Sequence, residues 1–391
     1  MPLEHSILNL GGYRIEEIDG TNPVTIKAKY IGKKICPYCQ SETLRTKDSI
    51  TRKIRHESIG DRKAYIQIKT HKYHCKSCNK YFNQQLPGVL KWHRSTEGFR
   101  REVFEKHNHG ISQKTLSEKL EISTATIERW YHDHLRHKVT KSKNAFCPTV
   151  IGIDEHFFSR KHGYATTICN LVKHKVHDVV LGRSEIALEG YFKRLIGKER
   201  VKVILMDMSE TYRAIARKYF PDAKIVSDRF HVIRLINHHF LKLWQEIDPV
   251  GRKNRGLLSL MRRHAKNLSE EQKINLYKYF SQHPGLEQIY EFKQKLCSLM
   301  LVKRQTKRQC RKLIPEFLES IEQLKSSYFE PMVTLGKTLE SWSEEVVRMW
   351  RFTKTNSTTE GFHTKMEMIA RRAYGFRNFE NYRLRVKALC S

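Results

Sequence analysis

The spacing of apolar positions changes several times along the chain, and each change predicts an element. Over residues 1 to about 30 the alternation is weak, as in an extended lead-in. It sharpens at Tyr65-Ile66-Gln67-Ile68-Lys69 and Tyr73, the period-two signature of a half-buried strand, within a β-rich unit running from Ile35 to about Gly88. Pro87-Gly88 breaks that pattern. Residues 95–138 then read as helices: one over 112–120, a short turn at Glu121-Ile122-Ser123, and a second from Thr124 to Leu135 with Ile127 and Trp130 on its inner face. A polar linker at 141–144 and Pro148 open the next region.

There the pattern becomes mixed. Val150-Ile151-Gly152-Ile153 predicts a strand ended by Asp154, and 164–172 and 176–181 predict two more. Helical spacing over 186–196 is followed by a strand at 201–206 ending at Asp207. A helix over 212–220 and a strand at Lys224-Ile225-Val226 ending near Asp228 complete the series. Three strands, then helix, strand, helix, strand is the order of a ribonuclease-H-like layer. From about His231 to Trp350 the texture is helical and basic, and 355–389 predicts two closing helices. The expected organisation is a small β-rich zinc ribbon (1–90), a helix-turn-helix (91–145) and an α/β ribonuclease-H-like core (146–391) carrying an all-α insertion at about 235–350.

Charge narrows the partners. The 391 residues carry 73 Lys and Arg against 41 Asp and Glu, a net +32 spread along the whole chain. Such a surplus favours a polyanion, because each neutralised phosphate releases condensed counterions. With 39% hydrophobic residues, packed cores are expected rather than wholesale disorder. No run approaches the ~18 apolar residues of a membrane span, and no secretory signal is read at the N-terminus. A membrane partner is therefore not expected, and a reducing cytoplasm is.

Nine cysteines fit no dense disulfide framework. Four of them form Cys36-Pro-Tyr-Cys39 and Cys75-Lys-Ser-Cys78, two knuckles that a β-hairpin would bring together. Four thiolates satisfy one tetrahedral Zn²⁺ with no open position, hence a structural site. A redox C-x-x-C would leave the second pair unexplained, and His71 or His74 replacing one sulfur is the competing ligand set. In the helical segment, Leu116, Leu120, Ile122, Ile127 and Trp130 have helix-turn-helix spacing, whose second helix would present Thr124, Thr126, Glu128 and Arg129 to a major groove. An ordinary αα-hairpin has the same apolar spacing, and the surrounding Lys and Arg favour the DNA reading.

Asp154 and Asp207 each close an apolar strand, and the two strands would be neighbours, so the carboxylates converge. Converging carboxylates repel, and hard divalent cations relieve the repulsion; two Mg²⁺ or Mn²⁺ about 4 Å apart can activate an oxygen nucleophile at a phosphodiester. Read singly, each aspartate is also an ordinary strand-end turn residue. Glu360 is the leading third acid, with Glu367 and Arg371 on the same helix face. Ser357-x-x-Glu360 is also a capping box, which offers a purely structural role. Asp228-Arg229-Phe230-His231 either orients the site or is an N-cap with a partly buried histidine. The run Lys303, Arg304, Lys307, Arg308, Arg311 and Lys312 would track DNA backbone or form a solvated helix face.

Taken together, these strings resemble the ISL3 family of bacterial insertion-sequence transposases over nearly the whole chain. The match includes the four cysteines, the helix-turn-helix, Ile151-Gly152-Ile153-Asp154-Glu155, Met206-Asp207-Met208-Ser209, Asp228-Arg229-Phe230-His231-Val232 and Thr359-Glu360-Gly361. It ends with Arg371-Arg372-Ala373-Tyr374-Gly375-Phe376-Arg377-Asn378-Phe379. The resemblance implies a DDE transposase in which Asp154, Asp207 and Glu360 hold two Mg²⁺ or Mn²⁺, with Asp228 and His231 as an auxiliary motif. The expected DNA contacts are Thr124, Thr126, Arg129, Arg371 and Arg372. The expected partners are the element's inverted repeats and target DNA, bound by a homodimer on paired ends in the bacterial nucleoid. Two other readings are a DNA-binding regulator that has lost its chemistry and an RNA-processing nuclease of the same fold.

Overall fold

The structure, a computed structural model, describes residues 8–141, 146–352 and 357–390, with only the backbone at 141, 357 and 358. Apart from Lys141, the polar linker read at 141–144 lies outside the described residues. The chain divides into two compact units, Met1–Thr140 and Lys141–Ser391.

In the first unit, strands β1 (Tyr13–Asp19), β2 (Val24–Tyr30), β3 (Leu44–Ile59), β4 (Arg62–Cys75) and β5 (Tyr81–Asn83) form one sheet in the order β1-β2-β4-β3, with β5 on β4. The lead-in expected at the N-terminus is thus two paired strands. Their alternation reads weakly because β1 buries only Tyr13, whereas Val24, Ile26 and Ala28 of β2 pack on Ile54, Ala64, Ile66 and Ile68. The β3–β4 hairpin turns at Gly60, whose φ of +64° is a conformation that costs glycine nothing.

Three helices follow: α1 (Glu97–Asn108), α2 (Gln113–Leu120) and α3 (Thr124–Lys141). Helix α1 docks on β3 through its entry segment. The Arg55 N–H donates to Arg94 O and the Thr96 N–H to Arg55 O, both at 2.9 Å. The Ser58 N–H adds a bond to the Glu102 carboxylate at 2.8 Å. Ribbon and helices therefore share one compact unit.

In the second unit, β6 (Val150–Ser159), β7 (Gly163–Asn170), β8 (Lys175–Leu181), β9 (Val203–Met206) and β10 (Lys224–Ser227) form a sheet in the order β10-β9-β6-β7-β8. The strands β6, β7 and β8 are antiparallel, while β9 and β10 run parallel to β6. The parallel steps are bridged by α4 (Glu185–Arg194) and α5 (Glu210–Tyr219). One sheet face, including Ile151, Ile153, Ile204 and Met206, packs on Leu188 and Phe192 of α4 and Tyr212 and Ile215 of α5.

The opposite face, including Ala165, Cys169, Val203 and Leu205, packs on the helical part of the chain. That part begins with α6 (Arg229–Ile247) and continues through α7 (Pro249–Lys253), α8 (Arg255–Arg262), α9 (Glu270–Phe280), α10 (Pro284–Leu301), α11 (Lys307–Lys325), α12 (Glu330–Ser341) and α13 (Ser343–Arg351). It closes with α14 (Ser357–Arg372) and α15 (Phe379–Leu389). The order three strands, helix, strand, helix, strand is present as expected. One strand end differs: β6 does not stop at Asp154 but runs to Ser159, because Asp154 to Phe157 continue to pair with Thr167 to Tyr164 of β7.

Candidate active site and metal centres

The two cysteine knuckles are built alike. Cys36 O accepts from the Gln40 N–H at 2.9 Å and Cys75 O from the Asn79 N–H at 3.0 Å, and both acceptor turns carry a left-handed residue, Gln40 (φ 61°) and Asn79 (φ 59°). The seryl hydroxyls of Ser41 and Ser77 meet at 2.8 Å and tie the knuckles together. Cys36 and Cys78 sulfurs are 3.6 Å apart, those of Cys39 and Cys75 3.5 Å, and all four lie within 4.8 Å of one another. Four sulfurs each about 2.3 Å from a central Zn²⁺ would be roughly 3.8 Å apart, so the constellation has the right size. The N–H groups of Cys78 and Ser77 aim at the Cys75 sulfur and hold its thiol down to about 6, which favours the thiolate that zinc needs. His74 instead bonds Asn79 at 2.6 Å and stacks on Tyr81, and neither it nor His71 joins the sulfur cluster.

Helix α2 starts where Ser112 Oγ accepts from the Thr115 N–H at 3.1 Å and ends at Glu121 in the left-handed region. Leu116, Leu120, Ile127 and Trp130 pack with Phe99 and Val103 of α1, with Ile111 and Ile122 at the margin, so every apolar position singled out in the sequence is inward. Thr124 and Arg129 are exposed on the first turns of α3 and Thr126 is half-buried. Ser123 Oγ accepts from the Thr126 N–H at 3.2 Å, and Arg129 donates to Thr126 Oγ1 at 3.2 Å. Polar side chains at the N-terminal end of such a helix are placed to meet base edges or phosphates.

In the second unit, strand register explains the acidic cluster. Met206 of β9 is paired with Ile153 of β6 on one side and with Ser227 of β10 on the other. Asp154, Asp207 and Asp228 each follow one of those three residues, so they stand in a row one step beyond the last paired position. Ligand atoms of Asp154, Asp207 and His231 all lie within 4.8 Å of one another. His231 Nδ1 is 3.0 Å from Asp207 Oδ2, and its Nε2 is 3.9 Å from Asp228 Oδ2. Asp154 Oδ1 accepts from the Glu155 N–H at 2.8 Å. Asp207 Oδ1 is buried and accepts no hydrogen bond among the described residues.

Helix α14 includes Ser357 itself, so Glu360 lies in its first turn rather than ahead of it. The Ser357 side chain, and with it the capping box, lies outside the described residues. Glu360 is exposed and outside the tight cluster, but its charge reaches both Asp154 and His231. Burial, with further push from Asp228, Glu155 and Glu360, drives the Asp154 carboxyl up to about 7. Burial and then Asp154 and Asp228 drive Asp207 up to about 8, against the lowering influence of Arg234. A buried carboxylate oxygen without a donor, among acids that resist ionisation together, is a donor set of hard oxygens that fits a divalent cation.

Glu155 lies on the other face of β6, as its neighbour position requires, yet it lines the same cleft. This cleft of about 690 Å³ is walled by Glu155, Asp207, His231, Arg183, Arg234 and His238, among others. Arg183 pairs with Glu155 at 3.0 Å and lies over the Tyr164 ring. Arg234 is exposed on α6 one turn beyond the Asp228–His231 motif. The sequence reading missed Arg183 and Arg234, and the one available signal was the i, i+3 spacing of Arg234 from His231. Arg229, inside that motif, is buried and donates to Met300 O, Val302 O and Met349 O at 2.8–3.0 Å, which fastens the ends of α10 and α13 to the start of α6. Arg371 pairs with Glu367 at 2.6 Å, and Arg372 is exposed beside it. The run from Lys303 to Lys312 is exposed at all six cations and forms no ion pair among the described residues. Its second half is the first turn of α11, started by a Thr306–Gln309 capping box.

A four-thiolate knuckle, a helix-turn-helix and a buried acidic row on one chain define the class of DNA-handling recombination proteins, and the comparisons agree. Residues 151–386 match the family model of the ISL3 transposases, so the chain belongs to that family. Residues 33–78 match the zinc finger of transposases IS204/IS1001/IS1096/IS1165, and 84–135 match the helix-turn-helix domain of transposase family ISL3. Among curated proteins, the chain is 22% identical to the transposase for insertion sequence element IS1001 of Bordetella parapertussis over 396 residues, covering 96% of this chain and 95% of that protein. No helix of the described residues is long and apolar enough to cross a membrane.

Proposed function

We propose that this transposase binds the terminal inverted repeats of its element and, at a ribonuclease-H-like site, cuts the 3′-end phosphodiester and joins the freed 3′-OH to target DNA. The observation that carries the reading is the row of Asp154, Asp207 and Asp228, each one step beyond the positions at which β6, β9 and β10 pair with one another, with Asp207 Oδ1 buried and accepting no hydrogen bond among the described residues. The strand order β10-β9-β6-β7-β8 agrees with it. Asp154, Asp207 and Glu360 would hold two Mg²⁺ or Mn²⁺, which when bound supply the Lewis acidity that activates water or a 3′-OH and steadies the leaving oxygen.

The chain's own groups do the rest. His231, 3.0 Å from Asp207, braces that carboxylate, with Asp228 Oδ2 3.9 Å from the other ring nitrogen. Glu360 comes in from α14 on the side of Asp154. Arg183 and Arg234 line the cleft and would meet flanking phosphates. Thr124, Thr126 and Arg129 read the DNA end, with Arg371 and Arg372 on backbone, and one Zn²⁺ holds Cys36, Cys39, Cys75 and Cys78. A homodimer would pair the two ends.

The deciding experiment incubates the full-length protein with DNA carrying an element end, with Mg²⁺, Mn²⁺ or neither. Metal-dependent nicking at the end, followed by joining, supports the reading. Binding without cutting supports the regulator, and preferential cutting of RNA-containing duplex supports the nuclease.

A further inference from the structure

Behind Asp154, on the side away from the cleft, a line of hydrogen-bonded polar groups that the chemistry above does not use ends on an imidazole in van der Waals range of that carboxylate. His363, one turn after Glu360 on α14, places Nδ1 3.8 Å from Asp154 Oδ2. Its Nε2 meets Thr167 Oγ1 at 3.1 Å. The same hydroxyl, on the fully buried Thr167 of β7, meets His156 Nδ1 at 3.0 Å. His156 Nε2 meets the Tyr382 hydroxyl of α15 at 2.8 Å. The two imidazole rings lie 5.1 Å apart, and Tyr382 packs against Phe158, Phe376 and Phe379. Four elements, β6, β7, α14 and α15, contribute to the line.

The Thr167 hydroxyl is the hub of this line: besides the two imidazole nitrogens it lies 4.0 Å from Met366 Sδ, one turn after His363 on the same helix.

The geometry points to His363, Thr167, His156 and Tyr382 as a line of positioning residues that orients Asp154 Oδ2 and docks the Glu360 helix against it. The inference rests on the acidic row being a cation site. Outer partners of this kind typically carry 10- to 100-fold of metal affinity. Because α14 carries both Glu360 and His363, the contact that orients Asp154 also sets where the third acid stands.

The test uses the full-length protein and Mn²⁺ as probe, with affinity read by electron paramagnetic resonance and folding by thermal melting. Thr167→Val keeps the shape and removes the central hydroxyl. It should weaken Mn²⁺ binding about 10-fold, and Tyr382→Phe, at the far end, should weaken it less. His363→Gln, which keeps a donor and an acceptor, should bind within a few-fold of wild type, whereas His363→Leu should not. Wild-type Mn²⁺ affinity retained in Thr167→Val and His363→Leu overturns the inference while leaving the acidic site standing. Wild-type protein with no Mn²⁺ binding that Asp154→Asn removes overturns the cation site and the inference together.

Discussion

The two candidate metal centres solve opposite problems. The four sulfurs come from two short knuckles joined by a local hairpin, and backbone N–H groups hold the Cys75 thiol down while Cys39 and Cys78 are pushed up among the neighbouring sulfurs. The acids come from three strands and a distant helix, and burial and mutual repulsion push two of them toward the neutral form. In the first centre the ion completes a fold. In the second, on the proposed reading, the fold would hold repelling groups in place for an ion. The difference teaches that the same word, metal site, stands for folding free energy in one case and for stored electrostatic cost in the other.

The sharpest way to break this contrast is Asp207→Asn. It should reduce end cleavage by about 10³-fold or more, since it removes several kcal/mol of transition-state charge stabilisation. End binding, measured by gel shift, should stay within a few-fold. Next in size is Cys75→Ser, or chelation of zinc. Structural Zn²⁺ contributes roughly 10–16 kcal/mol of binding free energy to folding in small modules. The variant should therefore lose zinc by atomic absorption and lose affinity for the specific end, whereas stripping Mg²⁺ should leave both unchanged.

A third test turns on sign. Asp154 and Asp207 have folded-state values near 7 and 8, above the ordinary carboxylate value near 4. Between those limits the folded state binds more protons than the unfolded one. Their contribution to stability in metal-free protein therefore falls as pH rises from about 4 to about 8. Asp207→Asn should raise the metal-free melting temperature at pH 8, by roughly 2–4 °C per kcal/mol of repulsion removed, with little gain at pH 5. Mg²⁺ affinity should climb over pH 6–8 in wild type, because the ion displaces protons; a flat profile would contradict the repelling pair. The smallest effect concerns the basic run: Lys307→Ala with Arg308→Ala should flatten the salt dependence of DNA binding by about 0.9 log units per lost phosphate contact.

Much of this was legible because it is local. The C-x-x-C spacing, the apolar positions Leu116, Leu120, Ile127 and Trp130, and the strand ends before Asp207 and Asp228 are written in short windows of sequence. What was not legible depends on packing across distance. β1 hides its pairing because only one of its side chains is buried. β6 continues past Asp154 because β7 is there to pair with it, and no residue within β6 announces that. His363 and Tyr382 were not singled out in the sequence, and the meeting of His363 with Thr167, some 200 positions away, exists only once the helices fold back on the sheet. Glu360 was found by its motif, and its place relative to the cluster needed the fold.

The matched register of β6, β9 and β10 has a consequence for how such chains can diverge. Each aspartate, one step past the last residue that β6, β9 and β10 pair with one another, points where it does because strands turn their side chains over at every position. Lengthening any of these strands by one residue would swing its acid to the far side of the sheet, whereas the helices between Asp228 and Glu360 can gain or lose turns without disturbing the row. Copies of this protein should therefore tolerate wide variation in loop and helix length, and almost none in the count of residues leading to each of those three carboxylates.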